Sequence, residues 1–365
     1  MGIGPYFEVI YLLVCSISLV TIAVRYNLYV TNEDFVNIDF NKSKYPFILF
    51  FAILFVGLRP VHSAFADMVG YNYAYNSMLG NQWHLLTEGS DDLLFDNLFS
   101  LFASIEIPST FFFLFIDVVY FLCIFLACKK MFPLHFELAF LVCLTAFSTF
   151  SYATNGIRAG TAGSIFLLAI AYKEQKWLSI VLCLISWGIH HSMLVVLLSY
   201  VTVNVCKKTN CFFYLWGISL VMSVLHISSL QYFFAQYVNE KGASYLIPQG
   251  NDAFVTGFRL DFVLYSAVPV LIGYWIYLKK EILDINYNLL LRLYLLTNSL
   301  WLLCMYASFS NRIAYLSWFL YPIVLIYPFL AFYWDENQLI WAKKISIYHM
   351  LFTLFMCIVY YGLIK

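Results

Sequence analysis

The sequence has few charged residues and lacks the patterns that are typical of soluble enzymes. Only 11% of its 365 residues are charged and 63% are hydrophobic, whereas about 25% charged residues is usual in soluble domains. Its nine cysteines form no CxxC pair and no Cys/His cluster, which argues against a disulfide framework and a zinc site. An Asp-x-Asp motif is also absent. The formal net charge is zero, so overall charge indicates no partner, and we expect no nucleic acid.

The sequence is instead rich in apolar runs long enough to cross a membrane. The first run ends at Val24 without a small-residue cleavage site, so we interpret it as a span rather than a signal peptide. Residues 177–206 are too long for one span and are interrupted at Gly188, His190 and His191, which predicts two helices that meet at the histidines. We therefore predict an all-α polytopic membrane protein, one transmembrane domain over 1–365 with about twelve helices. The other expected spans are 5–24, 44–58, 109–128, 134–153, 157–172, 211–228, 258–278, 288–309, 313–333 and 345–363.

The distribution of lysine and arginine predicts the orientation in the membrane. Cytoplasmic connections carry an excess of basic residues. With the N-terminus outside, 14 of the 20 basic residues face the cytoplasm, and two long hydrophilic loops, about 59–108 and 229–257, face outside. The cytoplasmic set is Arg25, Lys42, Lys44, Lys129, Lys130, Lys173, Lys176, Lys207, Lys208, Lys279, Lys280, Arg292, Lys343 and Lys344.

Three of the remaining arginines break this rule in the same way. Arg158, Arg259 and Arg312 each stand at the N-terminal end of a helix that enters the membrane from outside, where the helix dipole disfavours a cation. Free backbone N–H groups at such an end bind anions, and a guanidinium fork matches phosphate. We therefore expect a diphosphate site, with Arg59 as a further candidate. The alternative is that these arginines contact lipid headgroups or loop carboxylates.

The segment around Arg158 carries further signals. Asn155 is a natural N-cap for the helix, and Gly156, Gly160 and Ser164 recur at every fourth residue, the spacing of close helix packing. A close contact there would fix the direction of Arg158. Asp117 lies inside an apolar span, which makes it a candidate buried partner for an arginine.

Candidate sugar and proton-transfer residues also lie on the outer side. On a helix, Asp67, Tyr71 and Tyr75 share one face, and a carboxylate beside aromatic rings suits a sugar. The alternative is an interfacial tyrosine belt with a solvated aspartate. His190 and His191 can accept a proton near neutral pH, or they bond a broken helix end. The catalytic base therefore stays open between Asp67 and the two histidines.

Taken together in order, these motifs resemble the EpsG-like branch of the Wzy polysaccharide polymerases, over about residues 45 to 335. The resemblance implies a GT-C-like architecture of the Wzy and O-antigen ligase type, and an inverting glycosyltransferase that needs no metal or cofactor. The motifs are Arg59-Pro60 with Asp67, Tyr71 and Tyr75; Asn155-Gly156-Ile157-Arg158; His190-His191; Lys241 and Tyr245; Arg259-Leu260-Asp261; and Asn311-Arg312-Ile313-Ala314-Tyr315.

The resemblance also implies substrates, partners and a location. Donor and acceptor would be undecaprenyl-diphosphate-linked oligosaccharides, joined into O-antigen, capsule or exopolysaccharide at the periplasmic face of a bacterial inner membrane. Membrane lipid and a chain-length regulator are expected partners. Sugar contacts are expected from five residues, namely Tyr71, Tyr75, Lys241, Tyr245 and Tyr315.

Two other functions fit an intramembrane protein with these residues. A flippase for the same lipid-linked oligosaccharide would have charges along a path through the membrane, whereas here they stop at one face. A membrane-bound O-acyltransferase would use an intramembrane histidine such as His190 and a basic site for its acyl donor, which the sequence does not indicate.

Overall fold

The computed structural model describes residues 3–25, 46–65, 67–227, 231–232 and 257–360, and over these ranges it contains helices and no strands. The predicted all-α class is thereby confirmed, and helices long and apolar enough to cross a membrane confirm the class of polytopic membrane protein. The longer helices are α1 (Ile3–Arg25), α2 (Pro46–Gly57), α3 (Asp67–Met78), α4 (Leu93–Ser104), α5 (Ser109–Met131), α6 (Phe136–Leu144), α7 (Phe147–Thr154), α8 (Ile157–Ala171), α9 (Lys176–Ile189), α10 (Met193–Val205), α11 (Thr209–Val224), α12 (Leu260–Tyr274), α13 (Ile285–Leu303), α14 (Ser310–Trp318), α15 (Tyr321–Leu330) and α16 (Gln338–Tyr360).

Five helical segments in the described ranges are long and apolar enough to cross a membrane. The bent pair α6 and α7 makes six if it is counted as one span. Six shorter apolar helices accompany them, so the count of twelve stays a prediction. The expected span at 288–309 corresponds to α13, which is not among the five because asparagine, arginine and threonine lower its hydropathy. The five segments are Gly4–Val24, Ser109–Met131, Leu260–Lys279, Ser310–Leu330 and Gln338–Val359.

The structure confirms one predicted helix break and contradicts one predicted continuous span. The split of 177–206 is confirmed, because α9 ends at Ile189 and α10 begins at Met193, with His190 in an extended conformation between them. The single span expected at 134–153 is instead two helices bent by 68°. The break is stabilised by side chains that donate hydrogen bonds to its backbone carbonyl groups. The Thr149 hydroxyl donates to Cys143 O and the Tyr11 hydroxyl to Leu144 O.

The chain forms two compact units, Met1–Met193 with Phe329–Lys365, and Leu194–Pro328. In the first unit α8 packs against both α5 and α9, and α2 packs against α5. Serine hydroxyls on α9 bond to carbonyl groups of α8: Ser186 to Ala162 O at 2.7 Å and Ser179 to Ala169 O at 2.9 Å. These bonds fix an antiparallel register between α8 and α9, and the same register sets His190 level with Arg158.

The second unit is built around α13, which packs against α11, α12 and α14. Polar groups in these helices are satisfied by interhelical hydrogen bonds, because a membrane interior has no water to bond them. Trp216 Nε1 donates to Asn298 Oδ1 at 2.8 Å, and the Tyr294 hydroxyl donates to Ser266 O at 2.8 Å. Helix α12 contains Pro269 and continues as a π-helical turn over Trp275–Lys279.

Candidate active site

Charged and imidazole side chains meet in the first unit where three helix ends come together. They are the start of α4, the start of α8 and the end of α9. Asp92 precedes the first residue of α4, Arg158 is the second residue of α8, and His190 and His191 follow α9. Arg158 and the two histidines were predicted from the sequence as site residues. The structure brings these three together around Asp92, which was not predicted.

Asp92 is the centre of this cluster. Its Oδ1 accepts the backbone N–H of His191 at 2.9 Å and lies 2.8 Å from His191 Nδ1. Its Oδ2 accepts from Arg158 NH1 at 2.9 Å. His190 Nδ1 lies 3.2 Å from both carboxylate oxygens. The Asp92 side chain is 4% exposed, whereas those of His190 and His191 are 23% and 53% exposed.

These partners set the charge of the Asp92 carboxyl. Burial alone would raise its pKa, but hydrogen bonds from His190 and His191, together with Arg158, hold the pKa well below its usual range. Asp92 is therefore an anion and a hydrogen-bond acceptor at neutral pH, not a proton donor. An imidazole whose Nδ1–H donates to a carboxylate has its basic lone pair at Nε2. The arrangement thus has the parts of a histidine base oriented by an aspartate.

Arg158 is held by a second carboxylate and by two aromatic rings. Its NH2 lies 3.4 Å from Asp96 Oδ1, and its guanidinium carbon lies 4.6 Å from the centroid of the Phe95 ring and 5.2 Å from that of Tyr71. The side chain is still 29% exposed. Asp92 and Asp96 both contact Arg158. The alternative prediction that such an arginine pairs with loop carboxylates therefore describes part of its environment.

Two local features bring Asp92 to the histidines. Although Asp92 occupies the N-cap position of α4, its side chain does not cap that helix, and its carboxylate is turned to His190 and His191 instead. Ser90 connects the two acids, because its hydroxyl donates to Asp96 Oδ2 and accepts the Asp92 backbone N–H. Gly188 allows α4 to approach α9: a Cβ there would lie 3.0 Å from Leu94 Cβ.

Asp92, His190 and His191 could also hold a metal ion by donor type and spacing, since one ligand atom from each lies within 4.8 Å of the others. The position of Arg158 counts against a cation, because its guanidinium is 2.9 Å from Asp92 Oδ2 and like charges repel at short range. Hydrogen bonding accounts for each of the contacts between the three residues. That the site works without a metal remains a prediction.

Arg59, expected at the diphosphate site, lies in the interior of the first unit. It is 2% exposed and its NH1 contacts Asp117 Oδ2 at 2.6 Å. The position of Asp117 in an apolar span predicted that it pairs with a buried arginine. This prediction is confirmed, and the arginine is Arg59. Because Arg59 is buried and its charge is balanced there, we leave it out of the proposed diphosphate contacts.

The three residues of the predicted sugar-binding face of α3 have different surroundings in the structure. Tyr75 is fully buried, its hydroxyl donates to Ile107 O at 2.7 Å, and its ring packs on Phe99 and Phe112. It is therefore a core residue and we leave it out of the proposed sugar contacts. Tyr71 lies beside Arg158, as described above. Asp67 is the first residue of α3.

The close packing expected at Gly160 is confirmed, whereas the expected cap is not. A Cβ at Gly160 would lie 2.8 Å from Tyr152 O, so the backbones of α7 and α8 approach closely there. The N-cap of α8 is Gly156, one residue after the Asn155 that was expected. Asn155 Oδ1 instead accepts the backbone N–H of Asp67 at 3.4 Å.

Arg259, Arg312 and Tyr315 belong to the second unit. Arg259 is the N-cap of α12 and Arg312 the third residue of α14, as their sequence positions indicated. Arg259 forms a bidentate pair with Asp261, with distances of 3.0 and 2.6 Å, and lies over the ring of Phe262. Tyr315 is 7% exposed. Lys241 and Tyr245 lie outside the described residues.

Helices and site together define a polytopic membrane protein whose first unit combines a helix-terminal arginine with aspartate-bound histidines. A family model for the EpsG family matches residues 42–364. The chain therefore belongs to the EpsG family, which confirms the resemblance seen in the sequence and supports a function of the polysaccharide-polymerase type. No curated protein and no solved structure shows significant similarity to the chain.

Proposed function

We propose that this protein is a polysaccharide polymerase that joins undecaprenyl-diphosphate-linked oligosaccharide repeats at the outer face of a bacterial inner membrane. The observation that carries the proposal is the meeting of Arg158 with His190 and His191 on Asp92 in a member of the EpsG family. The cluster combines an anion-binding group and a proton acceptor, which are the two functions that glycosyl transfer from a diphosphate requires.

The proposed step is a single displacement with inversion. A hydroxyl of the acceptor's terminal sugar attacks the anomeric carbon of the donor from the face opposite the diphosphate. The new glycosidic C–O bond forms as the bond to the diphosphate oxygen breaks, and the hydroxyl proton passes to an imidazole. The products are the lengthened lipid-linked chain and undecaprenyl diphosphate. No metal is needed in this step, since guanidinium groups stabilise the leaving charge.

Of the possible bases, we favour His191. Its side chain is 53% exposed and its Nδ1 is 2.8 Å from the buried Asp92 carboxylate, which fixes the ring and makes Nε2 the basic atom. His190 shares the same carboxylate and is the second choice. Asp67, the first residue of α3, is the third choice.

Arg158 is the proposed diphosphate ligand. It lies at the N-terminal end of α8, where unpaired backbone N–H groups favour an anion. Asp92 and Asp96 compete with the diphosphate for this side chain and at the same time hold it in place. Arg259 and Arg312 are proposed as further diphosphate contacts, and Tyr71, Tyr315, Lys241 and Tyr245 as sugar contacts, with a chain-length regulator as partner.

The proposal is tested in a strain that lacks this gene and is complemented by wild-type or Arg158→Ala protein at matched membrane levels. Wild-type protein is expected to restore a ladder of polymer lengths, and Arg158→Ala to leave single lipid-linked repeats. A full ladder from Arg158→Ala at normal protein level would contradict the site. Repeats that only cross the membrane would indicate a flippase, and an added acyl mass would indicate an acyltransferase.

A further inference from the structure

Arg59, which is paired with Asp117 in the interior, also contacts the turn that precedes the helix of Arg158. Arg59 follows α2 and Asp117 lies in the middle of α5. Besides its 2.6 Å contact with Asp117, Arg59 NH1 donates to Val56 O at 2.8 Å. Its NH2 lies 3.5 Å from the carbonyl oxygen of Thr154, the last residue of α7. One side chain thus connects α2 and α5 to the end of α7.

Only Asn155 and Gly156 separate that carbonyl group from α8, so its position affects Arg158 directly. The turn is fixed from several sides: the backbone N–H groups of Asn155 and Gly156 both donate to Ser151 O, at 2.9 and 3.0 Å. Asp67 N donates to Asn155 Oδ1 at 3.4 Å. Arg158 is the second residue of the helix that begins after this turn.

Stability alone is a weak reason to bury this pair. Desolvation of two charges offsets most of their attraction, and apolar replacements of similar volume are often as stable. The pair is also incompletely bonded, because Arg59 Nε and Asp117 Oδ1 have no hydrogen-bond partner among the described residues. Two rings, Phe65 and Phe113, lie on the guanidinium with 5.9 Å between its carbon and each centroid, which restricts its movement.

We infer that Arg59 and Asp117 are positioning residues for Arg158: the pair fixes the Thr154 carbonyl group and thereby the height and direction of the start of α8. This inference rests on the proposed role of Arg158 as a diphosphate ligand. Arg59 acts through the backbone and does not contact the substrate. Displacement of a binding group by about 1 Å can cost on the order of 100-fold in rate, so a small shift of this turn is sufficient.

The test separates positioning from stability by removing one charge or both. Arg59→Met leaves the Asp117 carboxylate unpaired, whereas the double variant Arg59→Met with Asp117→Leu removes both charges of the pair. Each is purified in nanodiscs and compared with wild type for thermal unfolding, for binding of undecaprenyl diphosphate, and for the kcat and KM of chain extension from a lipid-linked repeat.

The expected results differ for the two roles. The single variant should unfold at lower temperature, and the double variant should recover wild-type unfolding. In the double variant, the affinity for undecaprenyl diphosphate should stay about 10- to 100-fold below that of wild type, and KM should stay raised, because the contact of Arg59 with the Thr154 carbonyl group is lost. Recovery of both stability and binding by the double variant would overturn the inference.

A second variant covers the case in which the double variant does not fold. Arg59→Lys keeps a cation for Asp117, but one ammonium group lacks the fork that reaches both Asp117 and Thr154. It should unfold near the wild-type temperature with a raised KM, and wild-type values of both would again overturn the inference. Wild-type protein that extends no chain would refute the proposed function itself, a result that these variants cannot produce.

Discussion

Asp92 and His191 are joined twice, through the backbone and through the side chain. The backbone N–H of His191 and its Nδ1 both approach Asp92 Oδ1, at 2.9 and 2.8 Å. The carboxylate therefore satisfies the backbone where α9 ends and also orients the imidazole that follows. A helix break and a candidate proton acceptor are thus controlled by one buried anion.

Replacing Asp92 with asparagine should remove that control. The amide is uncharged and cannot stabilise an imidazolium, so kcat for chain extension is expected to fall by about 10²- to 10⁴-fold with a smaller change in KM. The neighbouring exposed Asp91→Asn is the matched control and should keep wild-type rates. Equal rates for the two variants would remove Asp92 from the account.

The two histidines should differ in their contribution. His191→Ala is expected to lower kcat by about 10²- to 10⁴-fold, because the proposed base is lost, and His190→Ala should lower it less. His84→Ala, which replaces an exposed histidine between α3 and α4, is the control. The measurement is the initial rate of chain extension by purified variants, and a larger loss for His190→Ala would exchange the two assignments.

Lysine should not replace Arg158. If the guanidinium contacts the diphosphate and Asp92 together, Arg158→Lys should lose about 10²- to 10³-fold in kcat/KM, nearly as much as Arg158→Ala. Lys129→Ala, in the last turn of α5, serves as the control for loss of a basic residue. Near-normal activity of Arg158→Lys would mean that only a positive charge is required.

Gly188 should be required for the approach of α4 to α9. A leucine there would collide with Leu94, whose Cβ lies 3.0 Å from the position of the new Cβ. Such overpacking costs about 1–3 kcal/mol and would move Asp92 away from the histidines, so Gly188→Leu should lower both the unfolding temperature and kcat. Gly217→Leu is the control, because a Cβ at Gly217 meets nothing within 4 Å.

Much of the fold could be predicted because a membrane allows few solutions. Apolar length located most helices, and the interruption at Gly188 and His190 located the split between α9 and α10. The bend between α6 and α7 was not predictable, since it depends on Thr149 and Tyr11 reaching carbonyl groups at the break. Such contacts leave no periodic signal in the sequence.

The site was predicted in part, and the sequence also held a pattern that pointed to Asp92, the residue that was not predicted. Arg158 and His190 lie at nearly equal distances from the short turn between α8 and α9, so a helical hairpin alone would set them side by side. Asp92 and Asp96 are four residues apart at the start of an apolar helix, which places them on one face. They look like ordinary solvated acids of a polar loop, and only tertiary packing turns Asp92 toward the histidines.

The most direct test of the central claim is chain extension by purified protein in proteoliposomes supplied only with an undecaprenyl-diphosphate-linked repeat and a metal chelator. The account predicts longer lipid-linked chains, one undecaprenyl diphosphate released per bond formed, and loss of both products in Arg158→Ala. Unchanged repeats from folded wild-type protein, or equal extension by Arg158→Ala, would contradict it.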